Sequence, residues 1–302
     1  MTSLLSLEGI HAALWLPTDA HGGLMRRELA SNLAFLKAHR VRGLLALGST
    51  GEFPYFPPEE RKRALDVVVE LAAPMPVIAN ISDIRPSVVA DLARHARALR
   101  LPAVAIMSPG FYPTSQADML EHFLHAADMS GLPTLLYNFP ELTGSRIDLE
   151  TVAAFAARAP MAGIKQSGQE FSYHRELIAL GRDKGFAVLT GADTRLPEAF
   201  ALGATGCIGG LVNIAPELMI QLYEARDTPG NGTQLPAFGQ LKTIGQTIDR
   251  LTFPLNVAAG MRARGLPTGA PKALVSAASQ SLGESVEKVL RKLFAAWGLD
   301  PA

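Results

Sequence analysis

Several features that assign proteins quickly are missing from this chain. Its 302 residues hold one cysteine, Cys207. A single thiol closes no internal disulfide and builds no Cys/His zinc set. Such usage fits a reducing compartment. No apolar run reaches the ~18 residues that a bilayer span requires, and no basic-then-apolar leader opens the sequence. The expectation is a cytoplasmic protein with no membrane partner. An excess of charge of one sign is also lacking. Lys+Arg and Asp+Glu both number 28, giving a formal net charge of +0 and a pI near 7.1. A nucleic-acid partner calls for a basic stripe, and none is present. The cluster Arg61-Lys62-Arg63 reads as a solvated helix face. No Gly-x-Gly-x-x-Gly follows the first apolar run, and no Gly-Lys-Ser/Thr follows a Gly-rich turn, which removes dinucleotide and P-loop sites. The histidines form no ligand set; His122 and His125 share a predicted helix face and read as solvated. No metal and no cofactor is expected.

What is present is a rhythm. The hydrophobic content of 48% is enough for one large core. About every 30 residues a short apolar run is followed by a Gly, Pro, Ser or Thr turn and then an Ala/Leu/Glu/Arg helical pattern. The runs are 12–16, 43–47, 77–80, 104–107, 134–137, 163–165, 187–189 and 206–208. Continuous apolar runs alternating with helices indicate parallel strands buried on both faces. Eight such units fit a closed (β/α)8 TIM barrel, an α/β fold, better than an open sheet. Prolines at Pro57-Pro58, Pro86 and Pro216 mark helix starts. Residues 227–233 read as a loop, and helices are expected at 235–250, 254–264, 271–278 and 285–297. The division expected is a barrel over 1–228 and a C-terminal helical extension, packed on it, over 229–302.

One lysine stands out against this pattern. Lys165 lies in the apolar strand run Met161-Ala162-Gly163-Ile164-Lys165-Gln166-Ser167. Burying an ammonium is costly, and the usual escape is a neutral amine, which is a nucleophile toward carbonyls. The plainer alternative is a stem packed along the strand with its head in water. In such barrels chemistry sits where the strands end. Strand two ends in Gly48-Ser49-Thr50-Gly51-Glu52, whose glycines expose amides and whose hydroxyls can hold a carboxylate, or which is an ordinary turn. Strand five ends in Tyr137-Asn138-Phe139-Pro140, where the phenol either moves protons beside a lysine or is a core aromatic. Strand seven ends in Thr190-Gly191-Ala192-Asp193; the aspartate binds substrate or caps the next helix. In Gly206-Cys207-Ile208-Gly209-Gly210 the glycines around Ile208 leave room for a ligand.

In order and spacing these segments resemble the dihydrodipicolinate synthase / N-acetylneuraminate lyase family of Schiff-base pyruvate aldolases, from Pro17-Thr18-Asp19 to about Ile214. The resemblance implies a (β/α)8 barrel with a helical extension, a 2-oxo acid substrate such as pyruvate, no metal, and a homotetramer built as a dimer of dimers. It also implies roles. Lys165 is the Schiff-base lysine and Tyr137 the proton-moving tyrosine. Ser49 and Thr50, with the amides near Gly48 and Gly51, hold the substrate carboxylate. Gly191 and Asp193 face the rest of the substrate.

Departures bear on the substrate. The synthase branch carries an arginine for a second carboxylate where this chain has Leu142, and a relay tyrosine where it has Phe111, with Tyr112 beside it. Sialic-acid lyases carry an acidic residue and a serine where this chain has Thr194 and Gly210. Leu136-Tyr137-Asn138-Phe139-Pro140-Glu141-Leu142-Thr143-Gly144 is similar to the 2-keto-3-deoxygluconate aldolase branch, with Arg195 and Glu141 as further candidates to contact the tail. The expected activity is therefore cleavage or formation of a 2-keto-3-deoxy sugar acid from pyruvate and an aldehyde. The alternatives are 4-hydroxy-tetrahydrodipicolinate synthesis, N-acetylneuraminate cleavage, a dehydratase or decarboxylating relative, a metal-dependent aldolase, and a non-catalytic 2-oxo acid binder.

Overall fold

Successive strand side chains point to opposite faces, and here the alternation builds two separate apolar layers. Leu135 and Tyr137 belong to one that also takes Ala13, Leu45, Ile78, Ala105, Leu189 and Ile208 from around the fold. Leu136 and Ile164, each one residue out of phase with that set, belong to the other, which contains the helix residues. The first layer fills the inside of a barrel and the second lies between barrel and helices.

The computed structural model describes residues 6–168 and 170–299. Among them, β1 (Gly9–Ala13), β2 (Gly43–Ala46), β3 (Val77–Asn80), β4 (Ala103–Met107), β5 (Thr134–Asn138), β6 (Met161–Gln166), β7 (Ala187–Thr190) and β8 (Gly206–Gly209) pair in parallel and close into a ring. The helices that follow them are α1 (Arg26–Ala38), α2 (Pro58–Ala72), α3 (Pro86–Ala98), α4 (Gln116–Ser130), α5 (Pro140–Thr143), α6 (Leu149–Arg158), α7 (Phe171–Lys184), α8 (Leu196–Leu202) and α9 (Pro216–Glu224). The fold is thus the (β/α)8 barrel expected. Pro58, Pro86 and Pro216 each occupy the first turn of a helix, where a missing N–H leaves no bond unmade.

Beyond the barrel come α10 (Pro236–Ile248), α11 (Leu255–Ala263) and α12 (Ala277–Trp297). α10 packs on α9 and on the 3-10 turn Asp193–Arg195, and α11 packs on the turn Leu211–Asn213 and on α12.

Four expectations are corrected. The first strand is Gly9–Ala13, not 12–16. Residues 14–16 are as buried as a strand, but the Trp15 N–H turns to the Asn213 side chain at 3.1 Å, so the ladder has ended. No helix covers 271–276; Lys272 is drawn into the fold by side-chain bonds, and α12 starts only after Ser276, whose hydroxyl accepts the Ser279 N–H at 3.1 Å. Arg61 is not solvated. It is buried, and its guanidinium donates to the carbonyls of Ser82 and Asn80, both at 2.9 Å. Burial lowers its pKa to about 10 despite the Asp83 carboxylate nearby. His122 is half-buried and not solvated; burial holds its imidazole down to about 4, and its buried Nε2 has no partner among the described residues.

Candidate active site

β5 and β6 pair with Tyr137 opposite Lys165, so the two side chains share the inner face. Lys165 is 3% exposed, and its Nζ stands 4.0 Å from the centroid of the Tyr137 ring. The Tyr137 hydroxyl lies 2.8 Å from Ser49 Oγ; either oxygen can donate. The ring also stacks on Phe139 at 6.2 Å. An amine, a phenol and a hydroxyl are therefore aligned at the barrel mouth, where the first can attack a carbonyl and the other two can pass a proton.

The loop after β2 takes its shape from its backbone. Leu47 and Glu52 both adopt φ 56°, a left-handed conformation uncommon for such residues. A Cβ at Gly51 would stand 2.9 Å from the Leu14 carbonyl oxygen, and one at Gly48 3.3 Å from Leu45 Cδ2. These glycines shape the loop, and only its hydroxyl residues Ser49 and Thr50 reach the cavity. The loop is pinned from behind. Glu52 Oε2 lies 2.7 Å from Lys272 Nζ, which also donates to the Leu16 carbonyl at 2.8 Å. Burial pulls the Lys272 pKa down, and Glu52 opposes that shift.

Gly191 is required for close approach. A Cβ there would overlap Ser167 Oγ and stand 3.1 Å from Lys165 Cε. Ser167 lies two residues after the lysine on the same inward face; sequence reasoning passed over it, although strand alternation would have found it. Asp193 lines the cavity, but its carboxylate is engaged by the protein. It accepts the Leu211 N–H at 2.8 Å, has the Cys207 thiol at 3.5 Å, and lies so close to Gly209 that a Cβ there would overlap it. The residue as a whole keeps some exposure, whereas the carboxyl group is enclosed. Burial raises its pKa, against the opposing pull of the Leu211 amide and the Lys165 charge. Burial also pushes the Cys207 thiol well up, with Asp193 adding to the shift.

Lys165, Tyr137, Ser49, Thr50, Gly191, Asp193, Ile208 and Gly210 meet in one cavity of about 330 Å³. Its outer wall, which the sequence did not reveal, comes from α10, α11 and the turn between them: Gly245, Ile248, Asp249, Phe253, Asn256 and Val257. Leu142 and Phe111 are not part of it. They line a neighbouring cavity of about 580 Å³ that shares Ser49 and Phe253 with the first. Phe111, at φ 78°, is 85% exposed and Leu142 51% exposed. Glu141 also stands outside the Lys165 cavity and lines a separate one together with Arg146 and Gln166. Among the described residues no three His, Cys, Asp or Glu side chains gather as a metal site, and no helix is long and apolar enough to cross a membrane.

A sequence profile of the dihydrodipicolinate synthetase family matches residues 6–293. The chain belongs to this family. Dihydrodipicolinate synthetase family members are aldolase-type lyases, and this protein is one of them. It is 28% identical over 266 residues to an uncharacterised DapA-like lyase of Halobacterium salinarum, covering 88% of this chain and 87% of that one. To the 4-hydroxy-tetrahydrodipicolinate synthase of Methanothrix thermoacetophila it is 27% identical over 286 residues, covering 94% and 96%. YagE, a prophage protein of the same family from E. coli K12 solved with pyruvate, superposes with a TM-score of 0.87 at 26% identity, covering 96% and 99%. CdNal of Clostridium difficile, solved with mannosamine, gives 0.88 at 18% identity over 95% and 99%, a likeness of fold alone.

Proposed function

We propose that the protein is a Schiff-base aldolase that cleaves or forms a 2-keto-3-deoxy sugar acid, with pyruvate as one partner and an aldehyde as the other. The observation that carries this reading is the buried Lys165 amine beside Tyr137, whose hydroxyl meets Ser49. The Lys165 amine, once unprotonated, adds to the C2 carbonyl, and loss of water gives an iminium. That cation draws the electrons of the C3–C4 bond as it breaks, leaving an enamine. Tyr137 takes the C4 hydroxyl proton as the aldehyde departs, aided by Ser49. Protonation at C3 and hydrolysis then release pyruvate and the free amine. Ser49 and Thr50 hold the carboxylate, which sets C2 over the amine.

The likeness of residues 136–144 to the 2-keto-3-deoxygluconate aldolase branch supports a substrate without a second carboxylate, although Leu142 itself lines the adjoining cavity. The names of several archaeal relatives favour a second reading, condensation of pyruvate with aspartate semialdehyde to 4-hydroxy-tetrahydrodipicolinate. Borohydride with pyruvate should add mass to Lys165, and a panel of 2-keto-3-deoxy acids should release pyruvate. No trapping overturns the Schiff-base reading; condensation confined to aspartate semialdehyde supports the second.

The assembly implied by the family is a cytoplasmic homotetramer. Tyr55, Ile84 and Phe111 around the larger cavity, and Tyr112 packed on Phe111, are each exposed by 54% or more and are apolar surface that a second copy would cover. Sedimentation at a monomer mass of 32.2 kDa would remove the assembly.

A further inference from the structure

The outer wall of the Lys165 cavity is brought into place by a close contact. Gly245 of α10 packs on Thr194 so tightly that a Cβ there would overlap the threonine methyl. Residues three and four positions further along a helix share that face. Ile248 and Asp249 accordingly line the cavity, and Asn256 and Val257 of α11 line it with them. The Asn256 Oδ1 accepts the Val257 N–H at 2.8 Å, which fixes the amide. The same side chain hydrogen-bonds to Asp249. Asp249 therefore stands oriented at the rim.

The other charged groups on this side are occupied. Asp193 is held by the Leu211 amide and the Cys207 thiol. Arg195 donates to Glu198 at 3.1 Å and stacks over Phe171 at 3.5 Å. The polar groups that remain on this wall of the cavity are the Asp249 carboxylate, the Asn256 amide and Thr194. A carboxylate accepts hydrogen bonds strongly from hydroxyls and repels another carboxylate.

We propose that Asp249, oriented by Asn256, selects the aldehyde half of the substrate, accepting bonds from the hydroxyls of an uncharged chain and turning away chains that carry a carboxylate. This rests on the Schiff-base reading of Lys165 and adds a specificity determinant from outside the barrel.

The test is condensation of pyruvate with glyceraldehyde and with succinic semialdehyde by the full-length enzyme and by Asp249→Asn, Asp249→Ala and Asp249→Glu. The wild type should prefer glyceraldehyde. In Asp249→Asn and Asp249→Ala, kcat/KM for glyceraldehyde should fall on the order of ten- to a hundredfold, the range for losing a hydrogen bond to a charged group. Activity with succinic semialdehyde should rise, and Asp249→Glu should restore much of the original preference. Borohydride trapping with pyruvate, run in parallel, reports folding and the lysine chemistry separately. A wild type that traps no pyruvate removes the Schiff-base reading and this one with it. A trapping enzyme whose Asp249→Asn form keeps the wild-type ratio of the two aldehydes overturns the role of Asp249 alone.

Discussion

Lys272 Nζ and Glu52 Oε2, 220 positions apart in sequence, meet at 2.7 Å with their side chains only 4% and 3% exposed. The pair ties the loop carrying Ser49 and Thr50 to the segment before α12. Removing one partner of a buried ion pair leaves a bare charge and costs about 3–5 kcal/mol. Lys272→Met should therefore lower Tm, and KM for pyruvate should rise more than kcat falls, because the loop loses its anchor. The double variant Glu52→Gln/Lys272→Met should recover most of the Tm. Thermal unfolding and steady-state kinetics check both; an unchanged KM would show that the pair serves stability only.

Lys165→Ala should abolish turnover while the circular dichroism spectrum is kept. Tyr137→Phe should slow the reaction by roughly two to four orders of magnitude, the share that acid–base catalysis supplies. Near-normal rates in Lys165→Ala would eliminate the covalent route.

Gly191→Ala places a methyl against Ser167 Oγ and 3.1 Å from Lys165 Cε. It should suppress borohydride trapping as well as turnover. The double variant Gly191→Ala/Ser167→Gly removes one of the two clashing groups and should regain part of the trapping. Full trapping by Gly191→Ala alone would show that the lysine stem moves freely.

His11 and His174 are both 1% exposed, and burial lowers each imidazole from 6.5 to about 4. Neither ring nitrogen of His174 has a partner among the described residues. Between those two pH values the unfolded chain binds protons that the folded one refuses. Stability is therefore full above pH 6.5 and falls on acidification toward pH 4, by about 1.4 kcal/mol per pH unit for each histidine. Denaturant unfolding at pH 7 and pH 5 measures the slope, and His174→Phe should reduce it. An equal slope in that variant would assign the pH dependence elsewhere.

The centre of the site was legible because strand periodicity is local. A lysine, a tyrosine and a hydroxyl pair at the ends of apolar runs had to meet once those runs formed one ring. The helical wall was not legible. Periodicity gives α10 an apolar face, but where that face docks depends on non-local fits such as Gly245 on Thr194 and the packing on α9. Arg61 was misjudged because its acceptors are carbonyls of a different segment. Residues 271–276 looked helical because composition carries no record of Lys272 reaching Glu52. Phe111 and Leu142 were singled out by their match to synthase positions, and their loops lead into the adjoining cavity.

Since α10 and α11 complete the wall of the chamber into which β5 and β6 project Tyr137 and Lys165, the proposed choice of aldehyde draws mainly on a stretch of polypeptide other than the one proposed to make the bond. Evolution, or an engineer, can redraw the helical stretch for a new aldehyde while leaving the strands untouched. A library confined to positions 245–257 is thus the economical way to retarget this scaffold.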